Sequence, residues 1–209
     1  MQHPFCKYFR LSINMKKYFA LLFISLFFSL AMMAQNLEVI VNYLTSDATA
    51  TKPVIFYTPD VKLSWDDFKA KPVESSNAAA ITNAGIGLKM TFHSKGSVAT
   101  LIISVDCNFS KSESWVKDGR RTPYILNHEQ HHFDIAYIKA MQFVQSLKAA
   151  KYTLKDYDKV ITKIYNQSQE ELVAMQNAYD SETKNSTLVN EQELWNKKIN
   201  EQIALVGKQ

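Results

Sequence analysis

The pattern of apolar and polar residues along the chain changes character once, near Gly119. Before that point, short runs rich in β-branched and aromatic residues alternate with turn-forming residues. "LEVIVNYL" (37–44) and "PVIFYT" (53–58) read as strands on that content. "GIGLKMTFH" (85–93) and "SVATLIISVDCNF" (97–109) are the clearest pair, and the glycine-containing "SKG" between them predicts a hairpin. "LSWDDF" (63–68) predicts a short turn capped by Ser64. "KPVESSNAAAITNA" (71–84) reads as a loop from its Pro, Ser and Asn content.

After Gly119 the pattern is helical almost to the end. Thr122 suits an N-cap and Pro123 the first helical position, so a long helix is predicted from there through "AMQFVQSLKAA". A second helix is predicted from about Asp156 to Tyr179, and a third from near Thr187 through "EQELWNKKINEQIAL". The predicted fold class is α+β: a small antiparallel or mixed sheet followed by three helices.

The N-terminal region stands apart from this pattern. Lys16 and Lys17 precede an apolar run from Tyr18 to Met33, and Ala34 offers a small residue before a cut. That layout predicts a secretory signal peptide over residues 1–34, with residues 1–14 an upstream extension and Met15 the start. Export to the periplasm or beyond the cell follows. A retained run would instead tether the protein to a membrane, as a binding module. Residues 35–209 are then one domain, long enough for a real core.

Removing the leader changes the charge picture. Lys7, Arg10, Lys16 and Lys17 are the only charged residues before Gln35, and they equal the whole-chain net charge of +4. The rest of the chain is balanced, which gives no electrostatic case for nucleic acid or another polyanion. Of the two cysteines, Cys6 lies in the leader and Cys107 remains alone, so no internal disulfide is expected. Cys107 reads as a structural thiol. Trp65, Trp115 and Trp195 read as packing residues.

Chemistry concentrates in "LNHEQHHFD" (126–134). His128, Glu129 and His132 form H-E-x-x-H on the first predicted helix. Residues four apart stack on one helix face, so both imidazoles can reach one metal ion. Glu129 projects about 100° away from His128 around the axis, where it can take a proton from a water at the metal's open position. This is the zinc hydrolase arrangement of two helical histidines, a third ligand from elsewhere and a water. His131, about 60° to the other side of His128, reads as a polar neighbour. Asp134 either holds a ligand imidazole through its other ring nitrogen or is solvated.

Glu129 and His132 also match the Glu-x-x-His spacing of di-iron bundles, but no histidine follows His132 to supply the second copy. A Gly-x-Ser-x-Gly motif for a serine hydrolase is absent, and Gly85 and Gly87 lack phosphate-loop spacing. For the third ligand the residues leave several candidates: His93, and the carboxylates Glu170, Glu171, Asp180 and Glu182.

Taken together, "LSWDDFKAKP", "SSNAAAITNAGI", "SWVK", "YILNHEQHHFDIA", "YDSET" and "NEQELWNKKI" resemble a family of bacterial secreted proteins, domain of unknown function 922, related to the zincin metallopeptidases. The resemblance runs from about Leu63 to Ile199. It implies a zincin-like fold, zinc on His128 and His132, and Glu129 as general base of a peptidase acting on peptide or protein. The family's second block, Y-D-x-E-T-x-H, is matched by Tyr179, Asp180, Glu182 and Thr183, whereas Asn185 replaces its histidine. With Asp180 as third ligand the metal site is complete, and Tyr179 could donate to a developing oxyanion. If the missing histidine is the ligand, the protein is a catalytically impaired envelope protein with a binding or structural role.

Overall fold

The computed structural model describes residues 36–50 and 53–207. The leader expected over residues 1–34 lies outside them. The longest strand, β5 (Val98–Ser110), organises the sheet. Its residues alternate strictly: Ala99, Leu101, Ile103, Val105, Cys107 and Phe109 are buried, while Thr100, Ile102, Ser104, Asp106 and Asn108 are half-buried on the other face. Period-two alternation of this kind gives one face to a core and leaves one to water.

β4 (Ala84–Lys95) pairs antiparallel with nearly all of β5. The predicted hairpin is closed by Gly96 and Ser97, with Gly96 at φ 61°, as a turn led by glycine requires. Because β4 occupies one edge of β5, its other edge is shared end to end by two strands. β1 (Asn36–Leu44) runs parallel to residues 98–106, and β2 (Val54–Phe56) runs antiparallel to residues 108–110. The sheet is therefore mixed. A second, two-stranded sheet joins β3 (Ala80–Ile81) to β6 (Trp115–Val116). β3 falls inside the stretch expected to be loop. Two-residue strands carry no period to read, and only the partner some 35 positions away defines them.

The predicted helices follow. α1 (Pro123–Ala149) begins at Thr122, whose side-chain oxygen accepts from the Ile125 N–H at 3.2 Å. It lies across the inner face of the sheet, with Phe133, Ala136, Ala140, Phe143 and Leu147 wholly buried. Each large apolar side chain buried there contributes about 1.5–3 kcal/mol. Tyr57, just beyond β2, stacks on Tyr137 at 4.1 Å and meets Phe133 edge-on at 4.9 Å. α2 (Tyr157–Thr183) and α3 (Val189–Val206) cover the outer side of α1. This is the α+β order expected from the sequence, a small mixed sheet followed by three helices.

α2 runs one turn beyond its expected end near Tyr179. Lys184, Asn185 and Ser186 then all adopt left-handed backbone, at φ 48°, 50° and 65°. The Asn185 N–H closes the helix by donating to the Asp180 carbonyl at 2.9 Å.

Candidate metal centre

The stretch His128–Ile138 of α1 is buried without a break, because sheet and helices enclose it from both sides. Every polar group in it therefore needs a partner. Asp134 meets that need away from the histidines: it accepts from the Tyr57 hydroxyl and from Gln130 Nε2, both at 2.9 Å. Gln130 Oε1 accepts from the Leu63 N–H at 2.8 Å. Asp134 thus neither holds an imidazole nor faces solvent; it ties α1 to the strand layer and to the Leu63 turn. His131 donates from Nδ1 to the Asn127 carbonyl at 2.6 Å, and its buried Nε2 finds no partner among the described residues.

His128 and His132 behave differently. The side-chain amide nitrogen of Gln192 donates to the Tyr179 hydroxyl and, at 2.8 Å, to Asn196 Oδ1. Its oxygen therefore faces His128 Nδ1 at 2.8 Å, and the ring proton must sit on that nitrogen. Gln176 repeats the device on α2. Its Nε2 donates to the His132 carbonyl at 2.9 Å, while its oxygen accepts from His132 Nδ1. Both imidazoles are thereby fixed with Nε2 as the bare nitrogen.

The two Nε2 atoms face each other at 3.1 Å. Asp180 Oδ1, from α2, stands 3.1 Å from the first and 3.0 Å from the second. Two lone pairs and a carboxylate converging this closely repel one another unless a proton or a cation lies among them. Tetrahedral zinc with bonds of about 2.0–2.1 Å sets its ligand atoms roughly 3.3 Å apart, close to the separations here. The donor set fits a divalent metal. His128, His132 and Asp180 form a group that could hold one ion, and the geometry alone does not select zinc.

Without metal, protons take that place. Burial works against a charged His132, but the Asp180 hydrogen bond and the neighbouring Glu129 and Asp180 carboxylates outweigh it and raise its pKa. For Asp180, burial opposes ionisation, yet hydrogen bonds from the two imidazoles hold its carboxyl well below the ordinary carboxylate range.

Above this trio lies a cleft of about 380 Å³. Its floor includes Ile125, His128, Glu129 and His132 of α1. One wall is the segment Ala78–Gly85, and the other is formed by α2 residues such as Leu172, Val173 and Gln176, with Asn185 and Ser186 at the end. Glu129 is only 4% exposed, yet it borders the cleft, and its Oε2 accepts from the Thr82 hydroxyl at 2.7 Å. Tyr179 does not line the cleft. Fully buried, it stacks on the His128 ring at 4.5 Å, and its hydroxyl donates to the His128 carbonyl at 3.4 Å.

The other third-ligand candidates lie elsewhere. His93 pairs with Thr100 on the sheet face turned away from the helices. Glu171 sits 3.4 Å from Lys139, Glu170 is exposed, and Glu182 accepts from Trp195 Nε1 at 2.8 Å. Trp195 is buried against Tyr179, Trp65 lies beside Phe68, and Trp115 is buried in β6. Thr82, Gln176 and Gln192 were missed from the sequence. Gln176 had a signal, since it lies four residues before Asp180 on the same helix face. Thr82 and Gln192 had none, because only the tertiary fold brings them to α1.

Residues 60–186 match the profile of a family described as a bacterial protein of unknown function (DUF922), and the chain belongs to that family. No curated protein and no solved structure matches the chain.

Proposed function

We propose that this protein is a zincin-like, zinc-dependent hydrolase whose substrates are peptides or proteins. The observation that carries this reading is the paired amide support: Gln192 and Gln176 turn two bare Nε2 atoms toward each other and toward Asp180. Such support orients ligand imidazoles and raises their basicity. In this reading His128, His132 and Asp180 hold the metal. Zinc bound there supplies a Lewis acid that makes water acidic and polarises a carbonyl.

Glu129 accepts the water's proton and delivers it to the leaving amine. Thr82 holds one oxygen of that carboxylate and so aims the other into the cleft. Tyr179 serves by position, its ring backing His128 and its hydroxyl occupied by Gln192 and the His128 carbonyl, in place of the oxyanion role suggested by the motif. A substrate peptide would lie extended alongside Ala78–Gly85, which forms one wall of the cleft. Export by the leader belongs to the same reading, and N-terminal sequencing of the exported protein should begin at Gln35.

Purified protein should contain about one zinc per chain by elemental analysis. Glu129→Gln should keep the metal and lose peptide hydrolysis by roughly a hundredfold or more. Protein that takes up no zinc would end the proposal. Zinc without hydrolysis, with activity appearing in Asn185→His, would support the impaired reading, which rests on Asn185 standing where the motif has a histidine, at the border of the cleft.

A further inference from the structure

Beyond the metal, the cleft does not stop at the α2–α3 loop. A second cavity of about 410 Å³ adjoins it, and the two share Ala79, Ile125, Asn185 and Ser186 as common lining. This cavity differs in charge from the cleft. Arg120 and Lys184 both line it, one from the loop before α1 and the other from the end of α2. Neither side chain makes a hydrogen bond or ion pair among the described residues. No acidic residue lines the cavity, and the first turn of α1 beside it carries none. Glu193, which faces Tyr124, is not among the lining residues.

Pairing varies among the other cations: Lys69, Lys71 and Arg121 also make no side-chain hydrogen bond or ion pair among the described residues. Lys111 is paired with Asp67 at 2.9 Å, Lys117 donates to the Glu74 and Ser76 carbonyls, and Lys139 approaches Glu171. Beside the proposed active site, two cations line one cavity that has no acidic residue in its lining. Neutral partners are present beside them in Asn77 and Thr122. A guanidinium and an ammonium so placed favour a carboxylate, which both can hold by charge-assisted hydrogen bonds.

We propose that the Arg120–Lys184 cavity binds a carboxylate of the peptide substrate, so that the enzyme selects peptides that present a free carboxylate there. This rests on the hydrolase reading above. The carboxylate belongs either to the free C-terminus, which would make the enzyme a trimmer of chain ends, or to an Asp or Glu side chain within the sequence. Its distance along the chain from the scissile bond is set by the passage past Ile125 and Asn185.

The test measures binding first, in zinc-loaded full-length Glu129→Gln protein, which would hold peptides without cutting them. Short fluorescent peptides carry Glu or Gln at each successive position, each with a free or an amidated C-terminus. Anisotropy should show at least one carboxylate placement bound roughly tenfold more tightly than its amide counterpart, an advantage that shrinks with added salt. If amidation of the C-terminus removes the advantage, the terminal carboxylate is the ligand; if a Glu-to-Gln change removes it, a side chain is. Adding Arg120→Gln and Lys184→Gln should bring the ratio close to one. Arg121→Gln, an exposed neighbour outside the cavity, should keep it. Equal binding of acid and amide, no binding of either, or an advantage that survives the double change overturns the proposal. Peptide that binds in this way but is not cut by the wild-type protein would instead remove the hydrolase reading and leave the carboxylate site standing.

Discussion

Gln176 and Gln192 each accept a hydrogen bond from one imidazole and spend their own amide protons on fixed partners, so neither ring can turn over without losing both that bond and its contact with Asp180. Replacing Gln176 by Leu keeps the volume but removes both contacts to His132. Zinc affinity should drop about 10–100-fold while far-UV circular dichroism stays unchanged. An affinity equal to wild type in a chelator competition would show that the amide does not orient the ring. Protons compete for the same site. The raised pKa of His132 contributes stability fully below its unfolded value near ~6.5 and loses it as pH climbs through the folded value. The lowered pKa of Asp180 contributes above about 4 and is lost as pH falls through the folded value. The metal-free pair therefore helps most between about pH 4 and 6.5, whereas zinc needs both rings deprotonated. The rise in melting temperature on adding zinc should grow from about pH 6 to about pH 8. A rise that shrinks over that interval would refute this competition. At this scale the sequence was legible where one helix carries the pattern, as with His128, Glu129 and His132. It was silent for Thr82, whose hydroxyl reaches Glu129 across 47 positions.

The element that matters most is α1, and its start was readable from chemistry alone. Thr122 and Pro123 satisfy and pre-set the first turn, and His128 follows one turn later. Thr122→Ala should lower stability by about 1 kcal/mol in denaturant titration, with an unchanged slope. A loss below a few tenths would mean that sheet contacts alone fix the register of the helix. β5 was equally legible, because its alternation survives from Val98 to Phe109. Its partners were not. Nothing in "LEVIVNYL" distinguishes a strand that runs parallel to β5 from one that runs antiparallel, since both bury the same alternate residues. β3 was hidden for another reason: its alanine-rich surroundings have low strand preference, and the Ala80 and Ile81 pairing depends on Val116 and Trp115. That strand nevertheless sets the cleft wall, so part of the candidate site lay in a stretch without local signal. The end of α2 shows the converse. Lys184, Asn185 and Ser186 all take left-handed backbone, held by local bonds such as Asn185 N–H to the Asp180 carbonyl and Leu188 N–H to the Thr183 carbonyl, and of the three only Asn185 favours that state by type.

Across the whole molecule, the residues that could hold a metal come from two helices, with Gln192 of α3 behind them, while the strand side reaches them through Thr82, which lies on the approach to β4 and holds Glu129. The sheet side has its own fastening. The interlocked rings of Tyr57, Phe133, Tyr137 and Phe109 and the buried Tyr57–Asp134 hydrogen bond hold α1 to β2 and β5 without reference to the cleft. Two parts of different sensitivity follow: a strand–α1 core that stands by apolar packing, and an α2–α3 cover that shares that core through Ile161, Leu172, Trp195 and Ile199 and is joined to α1 at the charged trio as well. If the trio holds an ion as proposed, removing it would leave Asp180 and the two imidazoles to be reconciled by a proton, a weaker tie than an ion shared by all three. Local opening free energies should then fall where the tie is lost. Hydrogen exchange with and without a chelator should show lost protection in residues 176–188 and at the start of α3, with β1 and β5 unchanged. The left-handed turn at 184–186 should exchange earliest, because few buried contacts hold it once Asp180 is released. Equal loss of protection throughout would mean that sheet and helices unfold as one unit, and no loss anywhere would mean that the apolar packing of α2 against α1 suffices without the ion.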